Sequence, residues 1–199
     1  MMPVRRYPLG LLIVFIGFVV WSAINPAMWD VWVAEMAPVL AVAALLVYSY
    51  RFFQFSDMAY SLMAVWLLLH TVGAHYTFAN VPFQWVSDLL GSERNHFDRM
   101  AHFSVGFYAF PIAELLLRKK MCNVWLATVF ALFSIMSIAA TYEIIEWQFA
   151  VIAGGDAGLE FLGSQGDIWD AQKDMLADTL GALSSIALFI FIRPDRRAR

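Results

Sequence analysis

The stretch Asp167-Ile-Trp-Asp170-Ala-Gln-Lys-Asp174-Met-Leu-Ala-Asp178 decides how this chain is read. Its carboxylates lead into an apolar run that ends at Ile192. At about 100° per residue the four acids fall within roughly 80° of a helix circumference, and Gly181 and Ser185 continue the stripe. Acids crowded on one face repel each other and are costly near lipid. The stretch therefore predicts a helix whose acidic stripe turns inward against something cationic.

The run ending at Ile192 is the last of six apolar segments, at about 8–24, 31–48, 58–73, 100–117, 123–147 and 175–192. Each is long enough, or nearly so, to cross a hydrocarbon layer of ~30 Å. The composition agrees: 61% of the 199 residues are hydrophobic and 15% charged, where a soluble domain carries about a quarter charged. The expected fold is an all-α, polytopic membrane bundle of six transmembrane helices, a single domain over 1–199. Arg5 and Arg6 precede the first segment and no A-x-A site follows it, so it reads as an uncleaved span. The single Cys122 excludes a disulfide framework and a cysteine metal cage. The absence of a basic patch outside short loops excludes nucleic acid as a partner.

Basic residues set the orientation. With the N-terminus inside, the inner segments hold Arg5, Arg6, Arg51, Arg118, Lys119, Lys120, Arg193, Arg196, Arg197 and Arg199, leaving Arg94, Arg99 and Lys173 outside. Both termini are expected to be cytoplasmic. Of the two long outer loops, 74–98 carries a short amphipathic helix from Pro82 to Gly91. The other, 148–173, contains Gly154, Gly155, Gly158, Gly163 and Gly166 and predicts a tight, close-packed loop. Trp21, Trp29, Trp32, Trp85, Trp147 and Trp169 fall near the outer boundary, as an aromatic belt does. Gly181, Ala182, Ser184 and Ser185 read as close helix packing.

At ~1.5 Å per residue, the polar groups of separate spans reach a common depth. Asp178 and Asp174 lie about 22 and 28 Å above Arg193, and His102 and Asp98 about 24 and 30 Å above Arg118. His70 and His75 lie about 20 and 27 Å above Asp57, and Glu143 and Glu146 about 30 and 34 Å above Asn123. Asp98 and His102 are spaced i, i+4; Glu143 and Glu146 are i, i+3; Gly73 is expected to end the helix between His70 and His75. Glu114, near the inner end, reads as snorkelling or pairing with Arg118. Intramembrane charges face the protein interior or a wet cavity, so the economical packing gathers these faces into one outward-opening pocket.

Four uses of such a pocket are open. His with Asp and Glu suits a divalent metal such as zinc, manganese or magnesium, or iron, although the Glu-x-x-His pattern of di-metal bundles is absent. Crowded carboxylates also suit metal-free acid–base chemistry. Intramembrane acids can form a proton or cation path. Finally, the acids can simply pair with Arg94, Arg99, Lys173 and the histidines and lock the helices together. The candidate catalytic residues are His102, Asp98, Glu143 and Glu146. Candidates for holding a substrate headgroup are Arg94, Asn95, Asp167 and Asp170, and candidate metal ligands are His70, His75, Asp174 and Asp178. His96 reads as a solvated loop residue.

The runs His70-Thr-Val-Gly-Ala-His75-Tyr-Thr, Arg94-Asn-His-Phe-Asp98-Arg-Met-Ala-His102-Phe, Tyr142-Glu-Ile-Ile-Glu146-Trp147 and Phe161-Leu-Gly-Ser-Gln-Gly-Asp167-Ile-Trp-Asp170-Ala-Gln-Lys-Asp174-Met together resemble the YjdF-type bacterial inner-membrane family. The resemblance implies that location and no particular reaction. A weaker one is to the VanZ-like membrane proteins, linked to glycopeptide-antibiotic resistance. Asp98/His102, Glu143 and Asp174-x-x-x-Asp178-x-x-Gly181 follow their pattern in order, with Asp178 where that pattern has Asn. The expectation is a membrane-embedded hydrolase or transferase acting in the outer leaflet on a lipid or lipid-linked envelope substrate. The alternative is a non-enzymatic protein that binds a cation or lipid, or a structural polar cluster only.

Overall fold

A computed structural model describes residues 5–197, and every regular element among them is helical. Five stretches are long and apolar enough to cross a membrane: Trp29–Ser49, Asp57–Tyr76, Phe97–Arg118, Val124–Ala153 and Asp170–Arg196. Helix α1, Arg6–Ser22, is apolar but has 17 residues, about 26 Å of rise. Helices α2 (Trp29–Ser49) and α3 (Asp57–Tyr76) follow, then the short α4 (Gln84–Leu90). The fourth span is split into α5 (Phe97–Val105) and α6 (Ala109–Arg118), and α7 (Val124–Ala153) is the longest helix. The chain continues through α8 (Gly155–Leu162), α9 (Asp170–Ile192) and α10 (Pro194–Arg197). Arg199, counted above among the inner basic residues, lies outside the described residues.

Local chemistry sets the helix ends. Ser56 accepts a hydrogen bond from the Ala59 amide at 3.2 Å and starts α3; Asn123 does the same with Leu126 at 2.9 Å and starts α7. Gly91 closes α4 in the left-handed region, at φ +62°. Pro82 lies outside α4, which begins two residues later than the sequence suggests. Gly73 does not end α3. The helix runs on to Tyr76, and Gly73 is small because a Cβ there would strike the Phe78 ring.

Two further expectations change. Helix α7 extends past Trp147 to Ala153, and only Gly154 separates it from α8, so the loop before α9 shrinks to 163–169. A 3₁₀ turn at Gly106–Tyr108 interrupts the expected continuous helix over 100–117. Pro111 cannot donate to the Phe107 carbonyl one turn earlier, and the Gly106 carbonyl accepts from Ser185 Oγ at 3.0 Å as well as from the Ala109 amide.

The same break lets α5 and α9 touch backbone to backbone. A Cβ on Gly181 would meet the Phe103 carbonyl oxygen, and one on Gly106 would meet the Ala182 amide and the Asp178 carbonyl. Around this seam Phe110 stacks edge-on against Phe189 at 5.1 Å, and both are buried with Met63, Ala131 and Ile135. A second buried group, Phe15, Met36, Val39, Trp66 and Leu67, joins α1, α2 and α3. Large apolar side chains such as Val20, Leu45, Phe133 and Phe191 point outward. A lipid-embedded bundle tolerates this arrangement and water does not.

Candidate functional site

The site forms where the start of α9 meets the start of α5. Asp170, Asp174 and Asp178 share the inward face of α9 and are buried. Asp167 precedes the helix, in a turn where Asp170 N donates to the Asp167 carbonyl. The stripe on the helix therefore has three acids, and the fourth reaches the same group from the turn.

Two guanidiniums sit against these acids. Arg99 pairs with Asp170 and Asp174 and lies 3.5 Å from Asp167. Arg94 lies 2.7 Å from Asp170 and 3.4 Å from Asp98, and donates to the Ser164 carbonyl at 2.6 Å. Asn95 is a clasp rather than a free donor. Its Nδ2 donates to the Val81 carbonyl at 2.6 Å and the Ala79 carbonyl at 3.1 Å, while its backbone exchanges hydrogen bonds with the Gln165 side chain.

Deeper along α9, His102 is surrounded by acids. Its Nδ1 lies 3.2 Å from Asp178 Oδ2, and its Nε2 lies 3.6 Å from Asp98 Oδ1 and 3.9 Å from Asp174 Oδ1. Asp98, His102 and Asp174 each offer one ligand atom, all within 4.8 Å of one another. The other Asp178 oxygen, Oδ1, is buried without a hydrogen-bond partner among the described residues, and so is Glu143 Oε1. Glu143 is within electrostatic reach of His102, Asp174, Asp98 and Asp178. Glu146 is buried and lines, with Asp98, His102, Tyr142 and Asp178, a cavity of about 140 Å³.

The histidines of α3 go elsewhere. His75 Nδ1 lies 3.0 Å from the Ser22 carbonyl, with its ring 4.4 Å from that of Trp21, so it fastens α3 to the end of α1 and does not reach the acids. His70 lines the same cavity, but its Nε2 lies 2.8 Å from Glu35 Oε2. The structure thus does not bring His70 and His75 onto Asp174 and Asp178. The one-turn spacing of Asp98 and His102 supplies that contact instead.

Two groups outside the spans have shifted acidities. The Lys173 ammonium, 2.6 Å away, and the Trp169 amide hold the Asp167 carboxyl below its ordinary range. Burial, with Arg94 and Arg99 close by, pushes the His96 imidazole below its ordinary value. It is therefore neutral at pH 7 and adds no positive charge to the site.

A family model described as "Predicted membrane protein (DUF2238)" matches residues 7–195. The chain belongs to this family. The matched range takes in the acid–histidine cluster, the cavity and every candidate span but the last residue of the final one. The inner membrane protein YjdF of Escherichia coli (strain K12) is 35% identical over 158 residues, covering 78% of this chain and 75% of that protein. No solved structure matches the chain.

Within the DUF2238 chain, sequence reasoning missed Glu35 and Tyr142. Tyr142 donates to Glu35 Oε2 at 2.7 Å, and its ring stands 6.1 Å from His70 and 6.3 Å from His102. The available signal was a carboxylate inside an otherwise apolar span, which calls for a partner at the same depth.

Proposed function

We propose that this chain is a bacterial inner-membrane protein of one domain and six spans, with α1 as the first span and both termini cytoplasmic. Its acid–histidine pocket works in the outer leaflet as a hydrolase or transferase on a lipid or lipid-linked envelope substrate. The observation that carries the reading is the convergence of Asp98, His102 and Asp174 on one point, beside buried oxygens of Asp178 and Glu143 that lack partners among the described residues.

Unpartnered buried acceptors favour a cation or a proton donor. In this reading Asp98, His102 and Asp174 hold a divalent ion such as zinc, manganese or magnesium. Asp178 on Nδ1 fixes the imidazole so that Nε2 faces the ion, the usual carboxylate–histidine support of a metal ligand. An ion there would lower the pKa of a bound water. In this reading Glu143 and Glu146 would take and return the proton, and Arg94 with Asp170 would meet the headgroup. Arg99 already pairs with Asp174, so an ion there would compete with that guanidinium for the carboxylate.

One observation favours a second reading, a structural lock that binds no substrate. Arg94 and Arg99 between them engage Asp98, Asp167, Asp170 and Asp174. Mass-spectrometric profiling of envelope lipids separates the two, comparing cells that express wild type, Glu143→Gln or Asp174→Asn. The enzyme reading expects both variants to accumulate as folded protein and to lose the lipid change that wild type produces. Loss of folded protein in detergent supports the lock.

A further inference from the structure

A hollow of about 1000 Å³ lies at the far end of the bundle from the acid–histidine cluster. Its walls are the 52–58 segment leading into α3, the turn that ends α6, and the link from α9 to α10. The hollow is preformed because Glu114, fully buried, accepts from the Ser56 amide at 2.8 Å and the Ser56 hydroxyl at 2.7 Å, and pairs with Arg118 at 2.7 Å. Arg118 also donates to the Gln54 carbonyl at 2.7 Å, so the loop is tied to α6 from both sides.

Each carboxylate on the wall is already matched by an arginine. Asp57 pairs with Arg5, Glu114 with Arg118, and Asp195 with Arg193. Lys119 and Lys120 also line the hollow, are exposed, and have no carboxylate partner among the described residues. The turn that carries them is closed by hydrogen bonds from the Lys119, Lys120 and Met121 amides to carbonyls of α6. The Lys119 ammonium lies 5.7 Å from the Phe53 ring centre. Exposed Phe52 and Met58, with Ile192, complete the wall. Surplus positive charge beside apolar surface matches a ligand that is anionic at one end and apolar at the other. A soluble phosphate has no use for the apolar part.

We propose that this hollow binds the headgroup of an anionic glycerophospholipid, with Lys119 and Lys120 meeting its phosphate and the acyl chains lying along Phe52 and Ile192. Basic side chains near a membrane surface attract anionic lipid with a strength that corresponds to roughly fivefold each.

Native mass spectrometry of the full chain in detergent, titrated separately with phosphatidylglycerol, cardiolipin and phosphatidylcholine, tests this. The expected result is at least about tenfold tighter retention of the anionic lipids, lost in Lys119→Gln/Lys120→Gln and kept in Lys173→Gln at the opposite end. Raising salt must also erode the wild-type preference, a reading that does not depend on the double variant folding. Equal retention of phosphatidylcholine, an unchanged preference in a folded double variant, or a preference indifferent to salt would overturn the proposal. Full displacement of the lipid by millimolar inorganic phosphate would reassign the hollow to a soluble anion.

Discussion

The imidazole of His70 and the carboxylate of Glu35 meet at 2.8 Å inside the bundle, with Glu35 only 1% exposed. The same carboxylate oxygen accepts from Tyr142, so one acid on α2 joins α3 and α7 across the cavity. Glu35→Ala leaves two buried groups without their partner and is expected to cost about 1–3 kcal/mol. Glu35→Gln, which keeps an acceptor, should cost less. A Glu35→Ala/His70→Ala double-mutant cycle, read by unfolding in mixed micelles, should show coupling of about 1 kcal/mol.

Glycines separate packing from mere helix composition. Gly106→Ala and Gly181→Ala each drive a methyl group into backbone of the facing segment, which cannot move aside as a side chain can. Each is expected to cost at least about 1–3 kcal/mol and to move Asp178 away from His102. Gly10→Ala and Gly17→Ala meet nothing within 4 Å and should stabilise α1 by up to about 1 kcal/mol. Melting temperatures of the four variants in one detergent check the contrast.

The turn ahead of α9 should respond to acid. Asp167 titrates below its ordinary range because Lys173 and the Trp169 amide favour its charged form. A depressed carboxyl contributes stability above its unfolded pKa and loses it as pH falls through the folded value. His96 acts in the same direction at milder pH: its lowered pKa means that protonation below about 6.5 favours the unfolded state. Amide protection factors over 163–169, corrected for the intrinsic slowing of exchange in acid, should therefore fall as pH drops below the carboxylate range. In Lys173→Met the onset should move to higher pH.

How much of this was legible in the sequence follows from what each signal measures. Apolar length and basic flanks report burial in lipid, so the helices appear close to where they were drawn. Helical spacing placed Asp98 with His102, and Asp170, Asp174 and Asp178, on shared faces because those pairs lie within single helices. Which way α3 faces depends on packing between helices, which the sequence does not encode locally; depth alone brought His75 to the acids, and the structure turns it toward α1. The break at Gly106 was hidden for a similar reason. What it permits is a close approach to Gly181, more than 70 positions away in the chain.

The central claim is that Asp98, His102 and Asp174 form a divalent-cation site. Its most direct test is elemental analysis of purified protein after equilibrium dialysis against zinc, manganese or magnesium. Wild type and His75→Ala should each hold one ion per chain, and His102→Ala should hold none. An ion retained equally by His102→Ala, or no ion in folded wild type with any of the three metals, would contradict it.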